Sequence, residues 1–103
     1  MANRDLETAR AACDRSLALI PDRPHVLDSR ALVFFRQGRF EQAWADYDAA
    51  VRLDGDNAGY RYGRGLAALK LGRAAEGQAD IVAALGLDAD VARTYADLGL
   101  RPE

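Results

Sequence analysis

The chain has 103 residues, half of them apolar and 29% charged, with 14 basic against 16 acidic side chains and a net charge of -2. That length and composition suit one folded domain with a continuous core and exclude a disordered tail. The near balance of charge argues against a general nucleic-acid binder, a single cysteine excludes an internal disulfide, and Cys13 with His25 offers too little for a zinc site.

The first element is read from Leu6, Ala9, Cys13, Leu17 and Ile20, whose spacing of three and four residues writes one apolar face of a helix within residues 1–23. The same stretch carries Arg4, Asp5, Glu7, Arg10, Asp14 and Arg15. It is therefore neither an export signal nor a bilayer segment, which needs roughly 20 apolar residues, and no membrane association is expected. A cytoplasmic setting is the default. Pro21 marks a turn, Pro24 suits the first turn of a second helix over about 24–37, and Gly38 supplies its left-handed stop. Phe40, Ala43, Trp44, Tyr47, Ala50 and Val51 define the broad apolar face of a third helix. Asn57 caps a fourth over about 58–71, ended by Gly72. Ala74, Ile81, Ala84 and Leu85 outline a fifth more weakly, and Gly77 within it costs up to about 1 kcal/mol relative to alanine, so this end is expected to be the softer one. Val91, Tyr95 and Leu98, mixed with Arg93 and Asp97, form a capping helix over about 90–99, and Pro102 closes the chain.

A period of 34 residues runs through these decisions. The stops are Gly38 and Gly72, and the inter-repeat turns fall at Pro21, Gly55 and Ala89. Small residues recur at Ala31, Gly65 and Gly99, and apolar ones at Leu17, Val51 and Leu85 and at Leu19, Leu53 and Leu87. One register shared by such different requirements rarely arises by chance.

These residues resemble the tetratricopeptide repeat family, whose pattern is Trp-x2-Leu-Gly-x2-Tyr, then Ala-x3-Phe, then Pro. One repeat offers Leu27, Arg30, Ala31 and Phe34, then Ala43, Tyr47 and Ala50, with Gly55 at the proline position. The next offers Arg61, Arg64, Gly65 and Ala68, then Gly77, Ile81 and Ala84, with Ala89 there. The resemblance implies an all-α fold, a right-handed superhelical stack of antiparallel helix pairs with about six helices. It divides the single domain into a second helix of a partial repeat at 1–23, full repeats at 24–57 and 58–91, and a capping helix at 92–103. Because the first helix lacks its pair, the chain is read as the C-terminal part of a longer repeat protein or as a homodimer through that helix.

Catalytic and metal motifs do not survive inspection, and no cofactor is expected. Gly63, Gly65 and Ala68 imitate a dinucleotide fingerprint inside a helix, with no strand before it. Asp54, Asp56 and Gly59 imitate a calcium loop, but Gly65 stands where its bidentate glutamate should be. Cys13 lies on the apolar stripe and lacks a base, and Glu7, Glu41 and Glu76 suit second-helix starts through the helix dipole.

The first helix of each pair carries an apolar stripe beyond the one needed for packing. Asp28, Leu32, Phe35 and Arg36 form it on one helix, and Tyr62, Leu66, Leu69 and Lys70 repeat it on the next. In the resembled family first helices line a concave groove that takes extended peptides or helices, so these residues, with His25 at the helix start, are the candidate partner-binding site. The alternative is that the stripe packs on the capping helix or on a neighbouring subunit. The first-helix stretches 24–39 and 58–73 sum to +2 and +4, and the second-helix stretches 40–57 and 74–91 to -4 each. A partner with acidic or carboxylate groups beside apolar anchors follows, held by Arg36 and Lys70. Arg30 and Arg64 fall on the packing stripe, in register with Asp46 and Asp80, and are read as structural ion pairs. The lysine and asparagine clamp of the family's chaperone-binding members is replaced by His25, Ser29, Gly59 and Gly63. The reading is a protein or peptide interaction scaffold, with structural self-assembly as the alternative.

Overall fold

The computed structural model describes residues 3–19 and 23–100, with side chains from residue 6 onward. Ile20, Pro21 and Pro102, named above, lie outside them. The described residues fold into six helices: α1 (Asn3–Leu19), α2 (Pro24–Arg36), α3 (Phe40–Leu53), α4 (Ala58–Lys70), α5 (Ala74–Leu87) and α6 (Val91–Asp97). The boundaries have local causes. Pro24 opens α2, where a missing N–H costs no helical bond. Asn57 caps α4 by accepting from the Tyr60 N–H at 3.2 Å. Gly38 and Gly72 turn left-handed at φ 76° and 80°, which lets the N–H of Arg39 and of Arg73 donate back into the finished helix, to the carbonyls of Phe34 and Ala68 at 2.8 Å each.

Gly99 makes the same closure at φ 91°, with the Leu100 N–H donating to the Tyr95 carbonyl at 2.9 Å. The periodicity grouped Gly99 with Ala31 and Gly65 as a packing position, but here it is a helix stop. It follows Gly72 by 27 residues instead of 34, so α6 ends two turns early.

Short connections force consecutive helices to run antiparallel, and each of the first five packs on the next. One core cluster gathers Ala31, Phe34, Phe35, Ala43, Tyr47, Leu66, Ala67 and Ala84, and extends to Val91, Tyr95 and Leu100. A smaller one holds Leu17, Leu27, Ala50, Val51 and Tyr60, drawn from the first four helices.

Among the described helices, α4 and α5 are the most closely packed pair, and Gly77 lies in their contact. Ala31 and Ala43, both fully buried on α2 and α3, become Gly65 and Gly77 one period later. A Cβ on Gly65 would stand 2.9 Å from the Gly77 carbonyl oxygen, and one on Gly77 would stand 2.8 Å from the Gly65 carbonyl oxygen and 2.7 Å from Leu69 Cδ2. The lost helix propensity is exchanged for close backbone approach.

Two arginine forks cross the stack. Arg30 on α2 donates through Nε and Nη2 to both oxygens of Asp46 on α3, at 2.7 and 2.8 Å, and through Nη1 to Asp14 on α1 at 2.8 Å. Arg64 on α4 repeats this with Asp80 on α5, at 2.8 and 2.7 Å, and with Asp48 on α3 at 2.9 Å. The Arg30–Asp46 and Arg64–Asp80 pairs were legible in the register; the sharing with Asp14 and Asp48 was not. A lighter ladder parallels it on the surface, where Glu7 faces Arg39 at 3.8 Å and Glu41 faces Arg73 at 3.1 Å.

Two stability outcomes follow. Gly77→Ala should destabilise by about 1–3 kcal/mol in urea titrations despite its better helix propensity, because the backbone carbonyl opposite cannot move aside. Asp46→Ala, which strands part of a guanidinium beside a buried site, should cost about 2–4 kcal/mol, against less than about 1 kcal/mol for Asp14→Ala, whose carboxylate is half exposed.

Candidate functional site

The proposed stripe is a continuous strip of side chains across α2 and α4, and α6 lies on it. Tyr95 is the centre of that contact. Its hydroxyl donates to Asp28 Oδ1 at 3.2 Å, and its ring meets Tyr62 edge-on, with centroids 5.7 Å apart and planes at 75°. The space it occupies exists because residue 59 is glycine: a Cβ there would fall on the Tyr95 hydroxyl, 3.0 Å from Cζ. Past the Gly99 turn, Leu100 is fully buried in the cluster that holds Phe35, Tyr62 and Leu66. At the far end of the strip, Arg36 Nε donates to the Leu98 carbonyl at 3.0 Å, and Nη2 donates to the same oxygen. A cleft of about 420 Å³ remains there, lined by Leu6, Arg36, Asp97, Leu98 and Gly99.

The candidate residues therefore divide by accessibility. Phe35, Tyr62 and Leu66 are buried, and Leu32 and Leu69 pack partly buried against the same cluster. Asp28 and Lys70 are half-buried, whereas Arg36 and His25 are exposed. Seven of them, Asp28 to Arg36 and Tyr62 to Leu69, form one strip; His25 stands apart at the start of α2, its carbonyl accepting from Ser29 Oγ at 2.9 Å. Of the two readings open at the level of sequence, packing on the sixth helix is the arrangement present in this structure.

Residues not singled out for the site complete it. Tyr47 is fully buried with its hydroxyl unpartnered, and its ring occupies the space where a Cβ on Gly63 would lie. Gly59 and Gly63, one turn apart on α4, were the available signal: two glycines on one helical face mark where something bulky approaches the backbone.

Burial also sets the electrostatics. Asp28 is pushed up to about 6, chiefly by desolvation, with the Tyr95 hydrogen bond and the charge of His25 acting in the opposite sense. Tyr95 and Tyr47 are raised as well, first by burial and then by the charge of Asp28. Little of the positive charge assigned to the first helices is available on this face. Arg30 and Arg64 are held in the forks, and Arg61 Nε donates to the Gly55 carbonyl at 2.6 Å. Arg73 pairs with Glu41 and lies 5.3 Å from the Trp44 ring centroid. Arg36 is the basic group on the strip itself, and Lys70 follows it in sequence at the end of α4. Cys13 is half-buried, and burial raises its thiol pKa, opposite to the shift a nucleophile requires.

Among the described residues, no three His, Cys, Asp or Glu side chains are grouped to hold a metal ion, and no helix is long and apolar enough to cross a membrane. Antiparallel helix pairs recurring at 34 residues, locked by equivalent ion pairs and presenting one face of their first helices, define a helical-repeat protein. The tetratricopeptide repeat family matches residues 1–59, more than half of the chain, and the chain belongs to that family. No curated protein matches it. The family is generally one of non-catalytic protein-interaction modules.

The sign of the Asp28 effect is testable. Its carboxyl titrates near 6 in the folded chain against 3.8 ordinarily, so the native state holds the extra proton between these values and loses stability as pH rises through them. The loss approaches about 3 kcal/mol above that window. Asp28→Asn, which keeps an acceptor for Tyr95, should raise stability in denaturant titrations at about pH 7 and change it little at about pH 4.

Proposed function

We propose that the chain is a protein-interaction scaffold whose concave face, the strip across α2 and α4, receives a short peptide or helical segment of a partner. The observation that carries this reading is the seat already taken by residues 91–100. An aromatic ring, a buried leucine and a backbone carbonyl dock there on Asp28, the Phe35–Tyr62–Leu66 patch and Arg36 respectively. The strip thus matches the chemistry of a peptide, with apolar recesses between polar anchors. Arg36 holding a carbonyl oxygen supports a partner that brings oxygen acceptors to that end, and Lys70 extends the same preference toward carboxylates. Fluorescence anisotropy with peptides that place one or two carboxylates beside leucine or tyrosine tests it. Arg36→Ala and Lys70→Ala should each weaken binding about 3- to 10-fold, and raised salt should weaken the parent chain toward the variants. Affinity indifferent to all three changes would remove the acidic partner from consideration.

A second reading, self-association, is favoured by one comparison along the repeat. Asp48 and Val51 on α3 are covered by α4, but their equivalents on α5, Val82 and Leu85, stand 68% and 40% exposed beside the short α6. A concentration series by light scattering separates the two, since a groove binder stays monomeric where a self-assembling chain grows.

A further inference from the structure

The contacts of α6 have a character unlike those of the other five helices. Seven residues are too few to hold a helix in water, so α6 exists by virtue of what it touches. It touches α4 and α5 lightly, whereas each of the first five helices is broadly packed on its neighbours. Its purchase is concentrated in Val91, Tyr95 and Leu100, together with the hydrogen bonds to Asp28 and Arg36. Only three buried side chains are set against the ordering of ten residues, so the docked state is weakly held compared with the helices beneath it. The segment is tethered by only the exposed residues Asp88–Asp90, where the Asp90 N–H donates to Asp88 Oδ1 at 3.0 Å. The scaffold beneath it is held by the arginine forks, none of which involves α6.

We propose that α6 is an internal pseudo-ligand: residues 91–100 occupy the groove in cis, and the external partner is a short helical turn closed by a left-handed glycine that repeats their pattern, a tyrosine followed four residues later by that glycine and five residues later by leucine, and displaces them. The inference rests on the groove reading above and adds who competes for it. The recognition chemistry is already specified by the occupant. Asp28 accepts from the tyrosine hydroxyl, Gly59 leaves room for its ring, Tyr62 takes the ring edge, the buried patch takes the leucine, and Arg36 takes the carbonyl that a helix end leaves without an intrahelical partner. A partner that satisfies all five gains what α6 gives up, so its apparent affinity is lowered by the fraction of chains that remain latched.

The test uses the full chain and a fluorescently labelled peptide of residues 90–103. Tyr95→Ala with Leu100→Ala removes the latch and leaves every groove residue in place. This variant should keep its helical circular dichroism and bind the peptide at least about tenfold more tightly than the parent chain. Adding Gly59→Ala, which fills the ring's seat while favouring the α4 helix, should abolish that gain. In the parent chain, hydrogen exchange should show the amides of 94–100 opening on the order of 100-fold faster than those of α4. If the double variant stays folded and does not bind the peptide, or if it unfolds, or if the 94–100 amides are protected as strongly as α4, the pseudo-ligand is overturned and α6 is an integral part of the core. Acidic apolar peptides that bind parent chain and double variant equally would overturn the latch and leave the groove reading standing; peptides of neither kind binding to either would defeat both.

Discussion

A guanidinium placed between two carboxylates, each on a different second helix, is the constraint around which this stack is organised. Arg30 and Arg64 use the same nitrogens on the same relative partners, sixteen residues ahead and sixteen behind. Asp46 and Asp80 are buried, and a buried carboxylate is tolerated only when its oxygens are satisfied. The planar fork does this with two parallel bonds and keeps a third donor for the preceding helix; lysine has neither the geometry nor the reach to do all three. Each fork therefore fixes the slide of three helices at once, and the apolar clusters pack around positions that the forks determine.

This division of labour explains what was legible beforehand. Helices and stops follow from local rules, so Pro24, Gly38, Asn57 and Gly72 announced them. The pairing of Arg30 with Asp46 was legible because both residues recur in one 34-residue register within a hairpin. The link back to Asp14 and Asp48 crosses between hairpins, where sequence spacing carries no direct information about which side chains meet. Gly77 illustrates a different limit: its effect on an isolated helix and its effect on a helix pair have opposite signs, and the second depends on the backbone facing it.

The site was legible as a strip and illegible as a covered strip. Leu32, Phe35, Leu66 and Leu69 present the same pattern whether a partner, a neighbour or the chain itself lies over them. What decides the matter is Gly99, a small residue that satisfies either a packing register or a helix stop. Its left-handed backbone ends α6 early and turns Leu100 inward, and with Tyr95 above Gly59 the strip becomes occupied. Tyr95 is thereby set over Asp28, and burial of that carboxyl raises its pKa.

The forks also make the two repeats unequal as building units. The segment 24–57 contains an arginine, the aspartate that satisfies it, and in Asp48 a further aspartate for the arginine that follows. The segment 58–91 contains Arg64 and Asp80, but at the position of Asp48 it has Val82, and at the position of the following arginine the chain has Leu98. Tandem copies of 24–57 inserted into the chain would hand each new arginine a complete pair of carboxylates, so the array can be lengthened in the middle without a broken fork. A copy of 58–91 placed upstream would present Val82 to the next arginine, making that segment a terminator by its charge pattern alone.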